Sequence, residues 1–202
     1  MKRTLWLAAI LCLCAVILVG CGGAKLPEVI TEPTIAITEE GAASVWQIGH
    51  FDKDYYNLSE LTSMAVDEAA KFSGSRGKEG AAVVDKVELL QDGSSRVVVA
   101  YQFDSCESCG DFFGNALFFG TVSEAIQKGF GTDVIMRSVK DNTLFTEAQL
   151  REAADKYLVI TDIKANIYCP RAVTHVSNGA LSNDDGSINP SGVEGLVYIL
   201  LK

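Results

Sequence analysis

The sequence predicts an α+β fold, a single domain with a mostly antiparallel sheet and about three short helices, behind a signal peptide and a flexible tether. Three observations predict it. Two β-branched runs, residues 83–90 and 96–103, flank Asp92-Gly93, the strongest short-range hairpin signal in the chain. The helical periodicities are few, and each opens on a capping residue with Glu or Gln three positions later. Strand pairs joined by turns, broken by short helices rather than alternating with them, belong to the α+β class.

Each element has its own signal. Residues 22–43 carry Pro27, Pro33 and four glutamates without helical period, and read as a tether of about 25 Å root-mean-square reach. Within it the alternation of Ile35-Ala36-Ile37 offers at most a short strand, which Glu39 and Glu40 stop. The globular domain is expected over 44–202. Its first strand is Val45-Trp46-Gln47-Ile48. Asn57 with Glu60 forms a capping box for a helix whose Leu58, Leu61, Ala65, Ala69 and Phe72 share a face, and Gly74 ends it. Residues 73–80 form a flexible loop. After the hairpin, Leu117-Phe118-Phe119 reads as a buried strand. Thr121 with Glu124 and Thr146 with Gln149 open two further helices, the second reaching about Tyr157. Residues 134–139, 158–161, 165–168 and 196–201 complete the strands.

Charge and composition narrow the function. The chain has 202 residues, 48% hydrophobic, with 17 basic against 26 acidic side chains. That apolar content suits a packed core and excludes a disordered chain. A net charge of −9 with no basic cluster argues against nucleic acid as a partner, because phosphate binding needs such clusters.

Part of the hydrophobicity is N-terminal. Met1-Lys2-Arg3 precedes an apolar run from Leu5 to Val19, short for a spanning helix of ~20 residues and right for a signal-peptide core. The run ends in Leu18-Val19-Gly20-Cys21, which resembles the lipobox of bacterial lipoproteins. The resemblance implies a signal peptide over 1–20, cleavage before Cys21, and a diacylglyceryl thioether on that cysteine. The protein would then be held on the extracytoplasmic face of the cell membrane by its lipid anchor. An uncleaved anchoring helix is the alternative. Loss of Lys2 and Arg3 takes the mature charge to −11, from 26 acidic against 15 basic side chains.

Mature cysteines would be Cys21, Cys106, Cys109 and Cys169. Cys106-Glu107-Ser108-Cys109 follows a strand, as thioredoxin-like redox motifs do, and Asp104 is placed to cap a helix there. Against catalysis stand Asp104, Glu107 and Asp111, whose charge disfavours thiolate, and Gly110 and Gly114, which shorten the helix. A structural disulfide or inert thiols are the expected roles of the Cys106/Cys109 pair. Cys106, Cys109, Cys169 and His175 would make a Cys₃His zinc set, but only half the paired spacing is present. No metal or cofactor is expected. No Gly-x-Ser-x-Gly or His-Glu-x-x-His pattern occurs, and the Asn183–Ser187 run fails the calcium-loop register at Leu181 and Gly192. Asp52, Asp54, Tyr55 and Tyr56 read as a hydrophobic staple and helix-start charges rather than a glycan or peptide surface. Phe112, Phe113, Phe118 and Phe119 read as core.

The segments Phe51-Asp52-Lys53-Asp54-Tyr55-Tyr56, Leu117-Phe118-Phe119-Gly120-Thr121-Val122 and Glu194-Gly195-Leu196-Val197-Tyr198-Ile199 resemble small lipoproteins of Gram-positive Firmicutes, Clostridia above all, to which no activity is assigned. The cysteine pair is an addition to that pattern. The function expected is a binding or scaffold module of the cell envelope, with an envelope protein, peptide or glycan as partner. A thiol–disulfide protein using Cys106 and Cys109 and a small solute-binding lipoprotein are the alternatives.

Overall fold

The structure, a computed structural model, describes residues 24–177 and 179–202; the signal peptide expected over 1–20 and the lipidation site Cys21 lie outside them. The strands are β1 (Thr34–Ile37), β2 (Ala43–His50), β3 (Ala82–Leu89), β4 (Arg96–Phe103), β5 (Leu117–Thr121), β6 (Met136–Ser138), β7 (Leu144–Phe145), β8 (Tyr157–Thr161), β9 (Asn166–Tyr168), β10 (Val173–Ser177), β11 (Leu181–Ser182), β12 (Ile188–Asn189) and β13 (Val197–Leu201). Four helices join them: α1 (Leu58–Ser75), α2 (Cys106–Phe113), α3 (Val122–Gln127) and α4 (Glu147–Glu152). The α+β class holds, in one domain.

The strands form two sheets, ordered β11-β12-β9-β1-β2-β4-β3 and β5-β8-β13-β10-β6-β7. Every pairing is antiparallel except β1 with β9. Side-chain alternation along a strand places two cores. Val159 of β8 and Val197, Ile199 and Leu201 of β13 face Ile35, Val45, Tyr101 and Phe103 of the larger sheet, with α1 and α2 packed into the same core. Leu158, Ile160, Tyr198 and Leu200, on the opposite face, meet Val122 and Ala125 of α3 and Leu150 of α4. Both cores close within residues 34–201.

The tether boundary needs correction. Residues 34–37 are a central strand of the larger sheet, fully buried, with Thr34 opposite both Trp46 and Asn166. The domain therefore starts at Thr34 and not at residue 44. The alternation at 35–37 offered a short strand, but not its central place in the sheet, because its parallel partner lies 132 residues later. Glu39 and Glu40 form the hairpin turn that joins β1 to β2, with Gly41 at φ 83 and Glu39 held by Arg171 at 2.7 Å. The stretch before β1 also contacts the domain. Arg96 donates to the Thr31 carbonyl at 2.9 Å, and a side chain at Gly186 would touch Ala24.

Other expectations held in place. The hairpin around Asp92-Gly93 forms, with Gly93 at φ 73 and a bulge at Asp85 in β3. Both Thr-led capping boxes close, Thr121 with Glu124 and Thr146 with Gln149. At α1 only half of the expected box forms. Asn57 accepts from the Ser59 and Glu60 backbone at 2.9 and 3.2 Å, and the Glu60 side chain does not return the bond.

Candidate functional site

The cysteine motif was the sharpest chemical signal, and the structure gives it a different setting. Ser105, not Asp104, caps α2, accepting from the Ser108 amide at 3.0 Å. Gly114 ends the helix in the left-handed conformation, φ 68. Gly110 serves close approach instead: a Cβ there would stand 2.7 Å from the Asn115 carbonyl oxygen. Cys106 and Cys109 are free thiols on α2, and Cys169, also free, is buried in the same core.

Burial, rather than acidic neighbours, sets their chemistry. Arg76 pairs with Asp111 and lies 3.9 Å from Glu107, Lys78 pairs with Asp104, and Lys128 holds Glu107 at 2.8 Å. Glu107 and Asp111 thus point outward, Asp104 is largely buried, and each is paired with a cation. Desolvation pushes the Cys106 and Cys169 thiols up to about 12 and raises Cys109 as well, with Cys106 adding to the shift of both neighbours. A thiol protonated at pH 7 and closed to solvent is a poor nucleophile. In the unfolded chain a cysteine ionises near pH ~8.5. The stability these groups contribute is therefore whole below that pH and is lost as pH rises toward 12. The reduced protein is expected to resist iodoacetamide at pH 8 until urea unfolds it, and its urea midpoint should fall between pH 8 and 10. A Cys106/Cys109/Cys169→Ala variant should fall less steeply, as denaturation curves at each pH would show.

A groove of about 900 Å³ lies elsewhere, on the inner face of the larger sheet. Its origin is legible in two strands. The inward row of β4 is Val97, Val99, Tyr101 and Phe103, apolar throughout, while that of β2 runs Ala43, Val45, Gln47, Gly49. The β2 row loses bulk just where β4 keeps it, with exposed Gln47 opposite Val99 and Gly49 opposite Val97, so the groove reaches down to these two almost fully buried valines. One wall is the start of α1, with Asn57, Glu60, Leu61 and Met64, and the other is Phe113, Asn115 and residues 163–165. Phe51, Tyr55 and Tyr56 stand at the mouth.

The tyrosine segment before α1, expected as a hydrophobic staple, leaves much ring surface open. Tyr55 is 77% exposed and Tyr56 42%. Tyr56 stacks on Phe51 at 5.1 Å and meets Tyr55 edge-on at 5.0 Å. Met64, 63% exposed, continues the apolar surface along α1. Sequence inspection missed Met64, Gln47 and Gly49; the one available signal was the interrupted inward row of β2, whose direction becomes readable only once register is known.

The remaining candidates resolve individually. Phe118 is buried, and Phe112, Phe113 and Phe119 pack against the core as expected. His175 stacks on Phe145 with ring centroids 4.3 Å apart, and burial lowers its pKa. Among the described residues, no three His, Cys, Asp or Glu side chains converge as a metal set. In the 183–187 turn the Asp185 carboxylate accepts from the Tyr168 hydroxyl at 2.5 Å and the Ser187 amide at 2.9 Å, which ties down its oxygens. No helix among the described residues is long and apolar enough to cross a membrane. No family model, no curated protein and no solved structure matches the chain.

Proposed function

We propose that this protein is a lipid-anchored, extracytoplasmic binding module that holds a small amphipathic ligand in the groove on its larger sheet. Cys21 carries the anchor, and the domain from Thr34 carries the site. The observation that supports the binding reading most is the groove itself. About 900 Å³ lies at the upper end of the usual range for small-molecule sites. Its apolar floor of Ile35, Val45, Val97 and Val99, with polar Gln47, Asn57 and Asn115 around it, suits a ligand with an apolar body and a polar end. Each methylene placed on that floor contributes roughly 0.8 kcal/mol. The buried, protonated thiols favour this reading over thiol–disulfide exchange.

The test uses residues 24–202, within which both cores close. Calorimetry with dodecyl maltoside below its micelle concentration should show saturable binding. Gly49→Leu fills the groove, since a Cβ at Gly49 meets only Val97, at 3.8 Å, and its φ is ordinary. That variant should melt as wild type and bind at least about tenfold more weakly. Tyr55→Ala, at an exposed position, should also weaken binding. Absence of saturable binding, or unchanged affinity in Gly49→Leu, would contradict the proposal.

A further inference from the structure

The charges around the groove are uneven. Two formally charged side chains line it, Glu60 and Lys164, together with the titratable His50. Lys164 keeps its charge but uses its donors on the chain itself: its ammonium donates to the backbone carbonyls of Val193 and, at 3.5 Å, of Pro190. Glu60 is in the opposite condition. It opens α1 but does not close the capping box, as Glu124 does in α3, and no cation among the described residues forms a salt bridge with it. The wall of the groove therefore presents, one turn before Met64, an exposed carboxylate that no salt bridge among the described residues pairs.

The mouth adds to the same sign. Tyr55 and Tyr56 offer ring faces, whose π-systems are negative, and the neighbouring Tyr55 and Asp52 raise the Tyr56 phenol, which keeps it neutral. Asp52 and Asp54 flank them, with Lys53 set against Asp52 at 3.5 Å. Beyond the groove, the net negative charge of the chain raises the local concentration of cations and lowers that of anions.

The geometry points to an organic cation as the ligand class: an ammonium group carried on an apolar body. The body lies on Val45, Val97 and Val99, and the charge rests between the Glu60 carboxylate and the Tyr55 and Tyr56 rings. This inference rests on the groove reading and narrows it. A carboxylate alone binds exposed cations weakly. Here it borders an apolar floor and aromatic faces, so the ammonium is attracted while its chain leaves water.

Three probes with the same twelve-carbon chain separate the two claims: dodecyltrimethylammonium, dodecyl maltoside and dodecyl sulfate, each titrated by calorimetry into residues 24–202 below its micelle concentration. The ammonium is expected to bind about tenfold more tightly than the sulfate, with the maltoside between them. The preference should shrink as salt rises from 20 to 500 mM. Glu60→Gln should cut the ammonium affinity about three- to fivefold and leave the maltoside unchanged. Equal binding of all three probes, or a preference for sulfate, would overturn the cation inference and leave the groove intact. Unchanged ammonium affinity in Glu60→Gln would overturn the role of that carboxylate and the inference with it. Binding of none would overturn the groove reading too.

Discussion

A chain beginning at Ser44 will not fold, whereas a chain beginning at Ala24 will melt cooperatively. The shorter chain lacks β1, the strand that holds β2 on one side and β9 on the other. Without it, β9, β12 and β11 lose their connection to β2, β4 and β3. Ile35 and Ile37 are 0% and 3% exposed, and emptying two such sites costs about 4–10 kcal/mol by cavity arithmetic alone. That is comparable to the whole stability of an ordinary domain, ~5–15 kcal/mol, before the lost strand pairing is counted. Near-ultraviolet circular dichroism with thermal unfolding separates the cases. A cooperative transition from the chain beginning at Ser44 would mean that β1 is an accessory strand, and that the domain starts where sequence periodicity places it.

Replacing Cys21 with Ser should abolish acyl labelling. One fourteen-carbon chain binds a bilayer with a constant of about 10⁴ M⁻¹, and stable anchoring takes a second. The proposed thioether on Cys21 would supply two chains, so removing its sulfur should eliminate incorporation of an alkyne palmitate analogue. Membrane fractions of cells making the wild-type chain should hold a labelled product whose mass begins at Cys21. A membrane-bound product that is unlabelled and still begins at Met1 would identify the apolar run from Leu5 to Val19 as an uncleaved anchor, against the proposal.

What the sequence disclosed follows the range of the forces involved. Short-range signals were legible: the Asp92-Gly93 turn, the threonine caps at Thr121 and Thr146, and the apolar face of α1 through Leu61, Ala65, Ala69 and Phe72. Elements whose stability comes from distant partners were not. β1 depends on β9, and β10 lies between β13 and β6 with its own mixed sequence Val173-Thr174-His175-Val176-Ser177. The cysteine motif shows the same limit. Its spacing was visible, but its chemistry is set by burial, which no local count of acids reveals, and those acids face Arg76, Lys78 and Lys128 from other segments. The groove is harder still to read, because it arises from what β2 fails to place opposite Val97 and Val99. A change of side-chain size between facing rows becomes visible only when register puts the two rows together.

Methionine methyl spectroscopy tests the groove most directly. Residues 24–202 contain two methionines, Met64 at the groove wall and Met136 in the core beneath α3 and α4. With both carrying a labelled ε-methyl group, titration with dodecyltrimethylammonium should move the Met64 resonance progressively to saturation. Met136, fully buried in the other core, should stay where it is. A stationary Met64 signal under conditions where calorimetry records binding would place the ligand elsewhere and contradict the assignment of this groove as the site.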